Sequence, residues 1–223
     1  GVYNRTQDKA EMLATKLNTR VITNFKRFRN CDLVLLIVSD DAIRELAGEI
    51  NQLKAIVAHT SGNTSLEILF PHQKIGVLYP VQSFSKDLEV DLRKVPFLVE
   101  GNNDIVENSL FNLASKLSQE VYKITSYQRR RLHVAAVFAN NFTNHMLKQA
   151  HDLCEQNDIP FSVLTPLIDE TVSKIKTITP AQAQTGPAIR HDDRTIAIHK
   201  KLLEGNYLKL YDLITDDIKE TYK

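Results

Sequence analysis

The chain has 223 residues, 43% of them hydrophobic and 25% charged, a composition that excludes an intrinsically disordered protein and suits one large domain or two modest ones. Its 28 Lys and Arg against 27 Asp and Glu leave a net charge of +1. No overall field therefore draws it to nucleic acid or to an anionic membrane, and neither is expected as a partner.

The sequence opens on GVYNRT, where Val2-Tyr3 reads as the end of a buried strand and Asn4-Arg5-Thr6 as the turn into a helix expected over 8–17. In a dinucleotide-binding α/β domain the end of the second strand recognises the adenosine ribose. An acidic residue there accepts from the 2′-OH and suits NAD, whereas an Arg beside a hydroxyl suits the 2′-phosphate of NADP. Asn4, Arg5 and Thr6 thus read either as an NADP site or as caps of the helix. No G-x-G-x-x-G can be written with Gly1, Gly48, Gly62, Gly76, Gly101, Gly186 and Gly205. A first strand, turn and helix of about 25 to 30 residues is therefore expected ahead of this sequence.

Further β-rich runs follow at 19–23, 32–38 (DLVLLIV), 55–59, 74–78, 96–99 and 121–124, separated by helical patterns at 41–53 and 104–117. Strands alternating with helices predict a mainly parallel sheet. DLVLLIV is apolar without alternation, as expected of a central strand covered on both faces. Ligands of such sheets lie outside the carboxyl ends of the strands. Ser39 and Asp40 in VSDDAI, His59, Thr60, Ser61 and Gly62 in AHTSGN, and Tyr79, Pro80, Gln82, Ser83 and Phe84 in YPVQSFSK all fall there. Ser39 and Asp40 read as cofactor contacts or as helix caps. His59 to Gly62 read as a proton donor with a donor-rich turn, or as a plain polar turn.

After Ser126 strand-like runs stop and apolar residues recur at helical spacing, so residues 1–125 are read as an α/β nucleotide-binding domain and 126–223 as an all-helical one. The stretch 129–158 is predicted to be one long helix. His133, Ala136, Asn140 and Asn144 share a face of it, and the polar members either pair with neighbouring helices or face a polar cleft. Arg129, Arg130 and Arg131 have no aromatic platform beside them and read as a solvated helix start. In AQTGPAIRHDD, Thr185-Gly186-Pro187 forces a turn. Arg190 and Asp192 form either a structural clamp or a substrate contact. Cys31 and Cys154 have no second Cys at ligand spacing, so neither a metal nor a disulfide scaffold is expected. No apolar run approaches the roughly 20 residues of a membrane span and no leader is evident, which points to a cytoplasmic protein.

The stretches AHTSGN, YPVQSFSK, LHVAAVFANNFTNH, PLIDET and QTGPAIRHDD, in that order, resemble the Rossmann-like proteins with the C-terminal domain of unknown function 2520. These are distant relatives of pyrroline-5-carboxylate reductase and the β-hydroxyacid dehydrogenases. The resemblance implies an NAD(P)-binding domain joined to a helical domain, similar to that of 6-phosphogluconate dehydrogenases, that commonly dimerises. Asn4-Arg5-Thr6 looks like the NADP signature of 6-phosphogluconate dehydrogenases. Hydroxyacid dehydrogenases carry a catalytic Lys three residues before an Asn-Asn pair, and before Asn140-Asn141 that place holds Val137, so their lysine-based proton transfer is not expected; His133, one turn earlier, is the nearest substitute.

Together these readings predict an NADP-dependent oxidoreductase, with NAD the less favoured cofactor, moving a hydride to or from a small polar substrate in an interdomain cleft. Asn4, Arg5, Thr6, Ser39, Asp40, His59, Ser61 and Gly62 would hold the cofactor. His133 would be the general acid or base with Asn140 and Asn144 orienting substrate, and Gln82, Ser83, Arg190 and Asp192 would bind it. The competing reading is a non-catalytic dinucleotide-binding sensor. Apolar helices such as LLEGNYLKLYDLI predict a homodimer through the helical domain.

Overall fold

A computed structural model describes residues 1–24, 31–50, 54–85 and 88–223. Lys86 of YPVQSFSK and the end of the second predicted helix, 51–53, lie outside the described residues. The chain divides into two compact units, Gly1–Asn140 and Asn141–Lys223.

In the first unit α1 (Gln7–Lys16) links Val2 to Val21, which form an isolated parallel bridge where a strand over 19–23 was predicted. Among the described residues five strands then build one sheet in the order β1 (Leu33–Leu36), β2 (Ile56–His59), β3 (Ile75–Pro80), β4 (Phe97–Gly101) and β5 (Val121–Lys123). All neighbours are parallel except β3 and β4, which run antiparallel. The side chains alternate between two cores. Val34, Leu36, Val57, Ile75 and Val77 pack with Ile43 and Ala47 of α2 (Asp40–Glu49), while Ala58, Leu78, Phe97 and Val99 pack with Val106 and Leu110 of α3 (Asp104–Ala114). The Asn103 side chain accepts from the Val106 N–H at 3.1 Å and starts α3.

DLVLLIV holds β1. Among the described residues β1 is an edge of the sheet, its side chains alternate between half-buried and buried, and Ile37 just beyond it is 72% exposed. A cavity of about 570 Å³ is lined by Val2, Tyr3, Asn4 and Leu13 and by Leu33 to Val38. The most completely buried strand is β3, with Ile75, Gly76, Val77 and Leu78 all enclosed.

The long helix predicted for 129–158 is three pieces: α4 (Ser126–Ala136), a π-helical stretch Val137–Phe142, and α5 (Thr143–Glu155). A capping box starts α4, the Thr125 hydroxyl accepting from the Gln128 N–H while the Gln128 side chain accepts from the Thr125 N–H. The π turn falls on VFANNF and breaks the three-and-four spacing from Val137 on, so the predicted stripe through Asn140 and Asn144 does not persist.

The second unit is helical throughout its described residues, with α6 (Thr165–Lys174), α7 (Pro180–Ala183), α8 (Asp193–Lys201) and α9 (Gly205–Thr221) after α5. Gly186, at φ 112°, supplies the backbone that the Thr185-Gly186-Pro187 turn requires. Thr185, Pro187 and Ala188 then wall an apolar cavity of about 280 Å³ with Met146, Tyr207 and Tyr211. Among the described residues no helix is long and apolar enough to cross a membrane.

Candidate functional site

Because β1, β2 and β3 are parallel and in register at Leu36, His59 and Val77, their carboxyl ends open on one sheet edge. Ser39 and Asp40, the turn from His59 to Gly62, and Tyr79 to Ser83 are therefore brought to that edge. The Thr60 hydroxyl donates to the Leu36 carbonyl at 3.5 Å, tying the first two exits together.

The centre of this edge is a pair that the sequence reading did not couple. The Tyr79 hydroxyl lies 3.1 Å from Nδ1 of His133, with the rings edge to face at 5.9 Å between centroids. Burial raises the Tyr79 pKa, partly opposed by the charge of Arg129, so the phenol keeps its proton and donates to a bare Nδ1. When the ring is protonated at Nδ1 the hydroxyl turns and accepts. His133 is half-buried, and no bond of its Nε2 is made within the described residues. Gly62 closes the pair from the other side: a Cβ there would lie 2.5 Å from His133 Nδ1 and 2.8 Å from Tyr79 Cζ. Only a residue without a side chain lets the turn approach both rings.

His59 belongs to the frame of this site. It is fully buried, its Nδ1 accepts from the Ser61 N–H at 3.1 Å and its Nε2 donates to the Ser65 carbonyl at 3.4 Å. The Ser61 hydroxyl in turn accepts from the N–H groups of Asn63 and Thr64. Burial, and then the positive charge of Arg129, lower the His59 pKa from 6.5 to about 4. The unfolded chain takes up this proton below about pH 6.5 and the folded chain only near 4, so stability is lost as pH falls through that window, by about 3 kcal/mol in all. Urea midpoints recorded from pH 7 to 4 are expected to fall accordingly, and His59→Gln is expected to flatten the slope.

Arg129, read in the sequence as part of a solvated helix start, is instead 0% exposed. Its guanidinium donates to the carbonyls of Ser61 (2.9 Å) and Thr64 (2.8 Å), to the Glu100 carboxylate (3.1 Å) and to the Ser126 hydroxyl (3.1 Å). Nothing in a run of three arginines marks the buried one. The signal available was position, since Arg129 stands one turn before His133 on α4.

The other predicted residues are solvent-facing or locally engaged. Asn4 accepts from the Thr6 N–H at 2.9 Å, and Thr6 makes no side-chain cap bond to α1 although it occupies the N-cap position. Arg5 is exposed and makes no ion pair among the described residues. Ser39 likewise stands at the N-cap of α2 without a side-chain cap bond, with Asp40 exposed beside it. Gln82 accepts from the Ser83 N–H at 2.8 Å. Asn140 and Asn144 are exposed. In the second unit Asp192 caps α8, accepting from the N–H of Thr195 at 3.0 Å and from its hydroxyl at 2.7 Å, and it forms no ion pair with exposed Arg190. The Arg190–Asp192 clamp is therefore a helix cap. His151, Asp152 and Glu155 on α5 bring three potential ligand atoms within 4.8 Å, but Asp152 is already engaged by Lys148 and by the Tyr207 hydroxyl.

The chain aligns with the crystal structure of a candidate NADP oxidoreductase from Bacteroides fragilis at 37% identity and a TM-score of 0.87, covering 98% of this chain and 87% of that one. It shares the fold of 1-pyrroline-5-carboxylate reductase from Streptococcus pyogenes at 14% identity and a TM-score of 0.65, covering 98% of this chain and 88% of that one. A pyrroline carboxylate reductase from Plasmodium falciparum, solved with NADP bound, matches at 9% identity and a TM-score of 0.58, covering 99% and 86%. No curated protein matches the sequence. These likenesses establish a Rossmann-like fold. Residues 95–218, more than half of the 223, match the domain of unknown function DUF2520, and the chain belongs to that family.

Proposed function

We propose that the protein is an NADP(H)-dependent oxidoreductase acting on a small polar carbonyl or imine, or on the corresponding alcohol or amine, with the Tyr79–His133 pair moving the proton. The observation that carries this reading is the pair itself, a histidine held by a phenol at the strand exits with its Nε2 left for a substrate. The Bacteroides fragilis relative supports the cofactor class.

NADPH, when bound, supplies the hydride. The residues present fit that cofactor. Arg5 is an exposed cation without an ion pair among the described residues, and Thr6 beside it has a hydroxyl not used in capping, a donor set for a 2′-phosphate. Asn4 and Val38 border one cavity, so this turn and the Ser39 exit are neighbours. In the reduction direction His133 Nε2 gives its proton to the substrate oxygen or nitrogen. His133 gives this proton as the imidazolium and is left neutral with its remaining proton on Nδ1, where the Tyr79 hydroxyl accepts from it, fixes the ring and keeps its own proton. Gln82 and Ser83 lie at the same edge and orient the polar substrate.

Arg5→Ala in the intact protein is expected to weaken NADPH binding by about 1 to 3 kcal/mol and to leave NADH binding nearly unchanged, since only NADPH carries the 2′-phosphate. Equal loss for both cofactors would defeat the assignment. Deuterium transfer from 4-deuterated NADPH to a panel of small carbonyl and imine acceptors separates an enzyme from a sensor. Binding without transfer to any acceptor would favour the sensor.

The second unit exposes Val163, Leu167, Leu202 and Leu213, which fits a homodimer formed through it. Light scattering at micromolar concentration is expected to give twice the mass of one chain, and monomer alone would remove the dimer.

A further inference from the structure

We propose that Arg129 is the positioning residue of this site: its guanidinium holds the 61–64 turn against the Tyr79 and His133 rings and so fixes the hydrogen bond between them. The proposal rests on the reading of His133 as the acid–base group.

A guanidinium carries five donors, and an ion pair with Glu100 alone would fill at most two; here four are engaged through the two terminal nitrogens, and Nε–H has no partner among the described residues. Two of the four bonds that the Arg129 guanidinium makes among the described residues go to main-chain carbonyls, those of Ser61 and Thr64, at 2.9 and 2.8 Å. These carbonyls bracket Gly62, the residue packed on both rings. The remaining two reach Glu100 on β4 and Ser126 at the start of α4, and the Glu100 carboxylate also accepts from the Ser126 N–H at 2.8 Å and hydroxyl at 2.7 Å. One planar group thus joins the turn after β2, the strand β4 and the helix that carries His133 four residues further on. Tyr79 enters from β3, which pairs with β4. Every part that meets in the Tyr79–His133 contact is bonded to Arg129 or neighbours something that is.

A tetrahedral ammonium cannot reproduce this. Lysine keeps the charge opposite Glu100 but has three donors on a compact head and cannot reach two carbonyls, a carboxylate and a hydroxyl arranged around a flat fork. Retention of charge with loss of the turn bonds is the contrast that separates positioning from simple ion pairing.

The test is Arg129→Lys in the intact protein, read by the ring ¹⁵N signals of His133 and by amide exchange over 61–64. The expected result is a His133 ring that moves from the signature of Nδ1 accepting from a phenol to that of a solvated imidazole. Exchange in the turn should be at least tenfold faster while the far-ultraviolet dichroism stays unchanged. Unchanged ring signals and exchange in a folded Arg129→Lys protein would overturn the proposal. Should that variant fail to fold, Arg129→Met with Glu100→Leu removes both charges together, and the same two readouts decide. Failure of the acid–base reading looks different: His133→Gln would retain turnover while Arg129→Lys still displaced the ring.

Discussion

His133→Gln is expected to lower the rate of NADPH-dependent turnover by about 10²- to 10⁴-fold, the range associated with loss of a positioned acid or base. Glutamine is close to histidine in reach and can still bond to the Tyr79 hydroxyl, so the fold should survive, but an amide does not exchange a proton at neutral pH. His133 is half-buried and its one side-chain hydrogen bond among the described residues is to Tyr79, and the thermal midpoint should therefore change little. Single-turnover hydride transfer with saturating NADPH, on the acceptor found by the deuterium screen, isolates the chemical step. A variant within threefold of wild type would remove His133 from proton transfer.

Gly62→Ala is expected to cost about 10²-fold in the same step while Kd for NADPH moves less. The added methyl would sit 2.5 Å from His133 Nδ1, 2.8 Å from Tyr79 Cζ and 2.9 Å from His133 Cγ, all shorter than van der Waals contact. Rings cannot swing aside as the end of a long chain does, so either the turn retreats or the Tyr79–His133 bond lengthens. A displacement of about 1 Å suffices for a hundredfold loss. The packing cost is about 1 to 3 kcal/mol, readable as a lower urea midpoint. Normal kinetics in a folded Gly62→Ala protein would show that the rings need not meet the turn closely. The two variants differ in kind: one removes the proton carrier, the other leaves it present and moves it.

The α/β class and most strand positions were legible because apolar β-rich runs and the helices between them carry their own periods. Residues 55–59, 74–78 and 121–124 fall within a residue or two of β2, β3 and β5. The antiparallel turn between β3 and β4 left no local mark. At the site, the strand exits were legible as one edge, and His133, singled out on the long helix, lies against Tyr79 of one of those exits. Its partner was missed because Tyr79 stands 54 residues earlier and no spacing rule joins them. Arg129 was misread because charge predicts exposure until four acceptors happen to converge on it. Asn140 was assigned a shared face by a 3.6-residue period that the π turn interrupts. Asp192 looked like half of a clamp and is a cap, since Thr195 three residues on offers both its N–H and its hydroxyl.

The most direct measurement is a crystal structure of the intact protein with NADP⁺ bound. The nicotinamide ring is predicted at the carboxyl edge of β1, β2 and β3, with C4 about 4 to 6 Å from His133 Nε2, the separation that leaves one substrate bond between hydride donor and proton donor. Arg5 should contact the 2′-phosphate. A nicotinamide bound away from this edge, or C4 more than about 10 Å from a His133 still bonded to Tyr79, would contradict the assignment of the pair as the group that moves the proton.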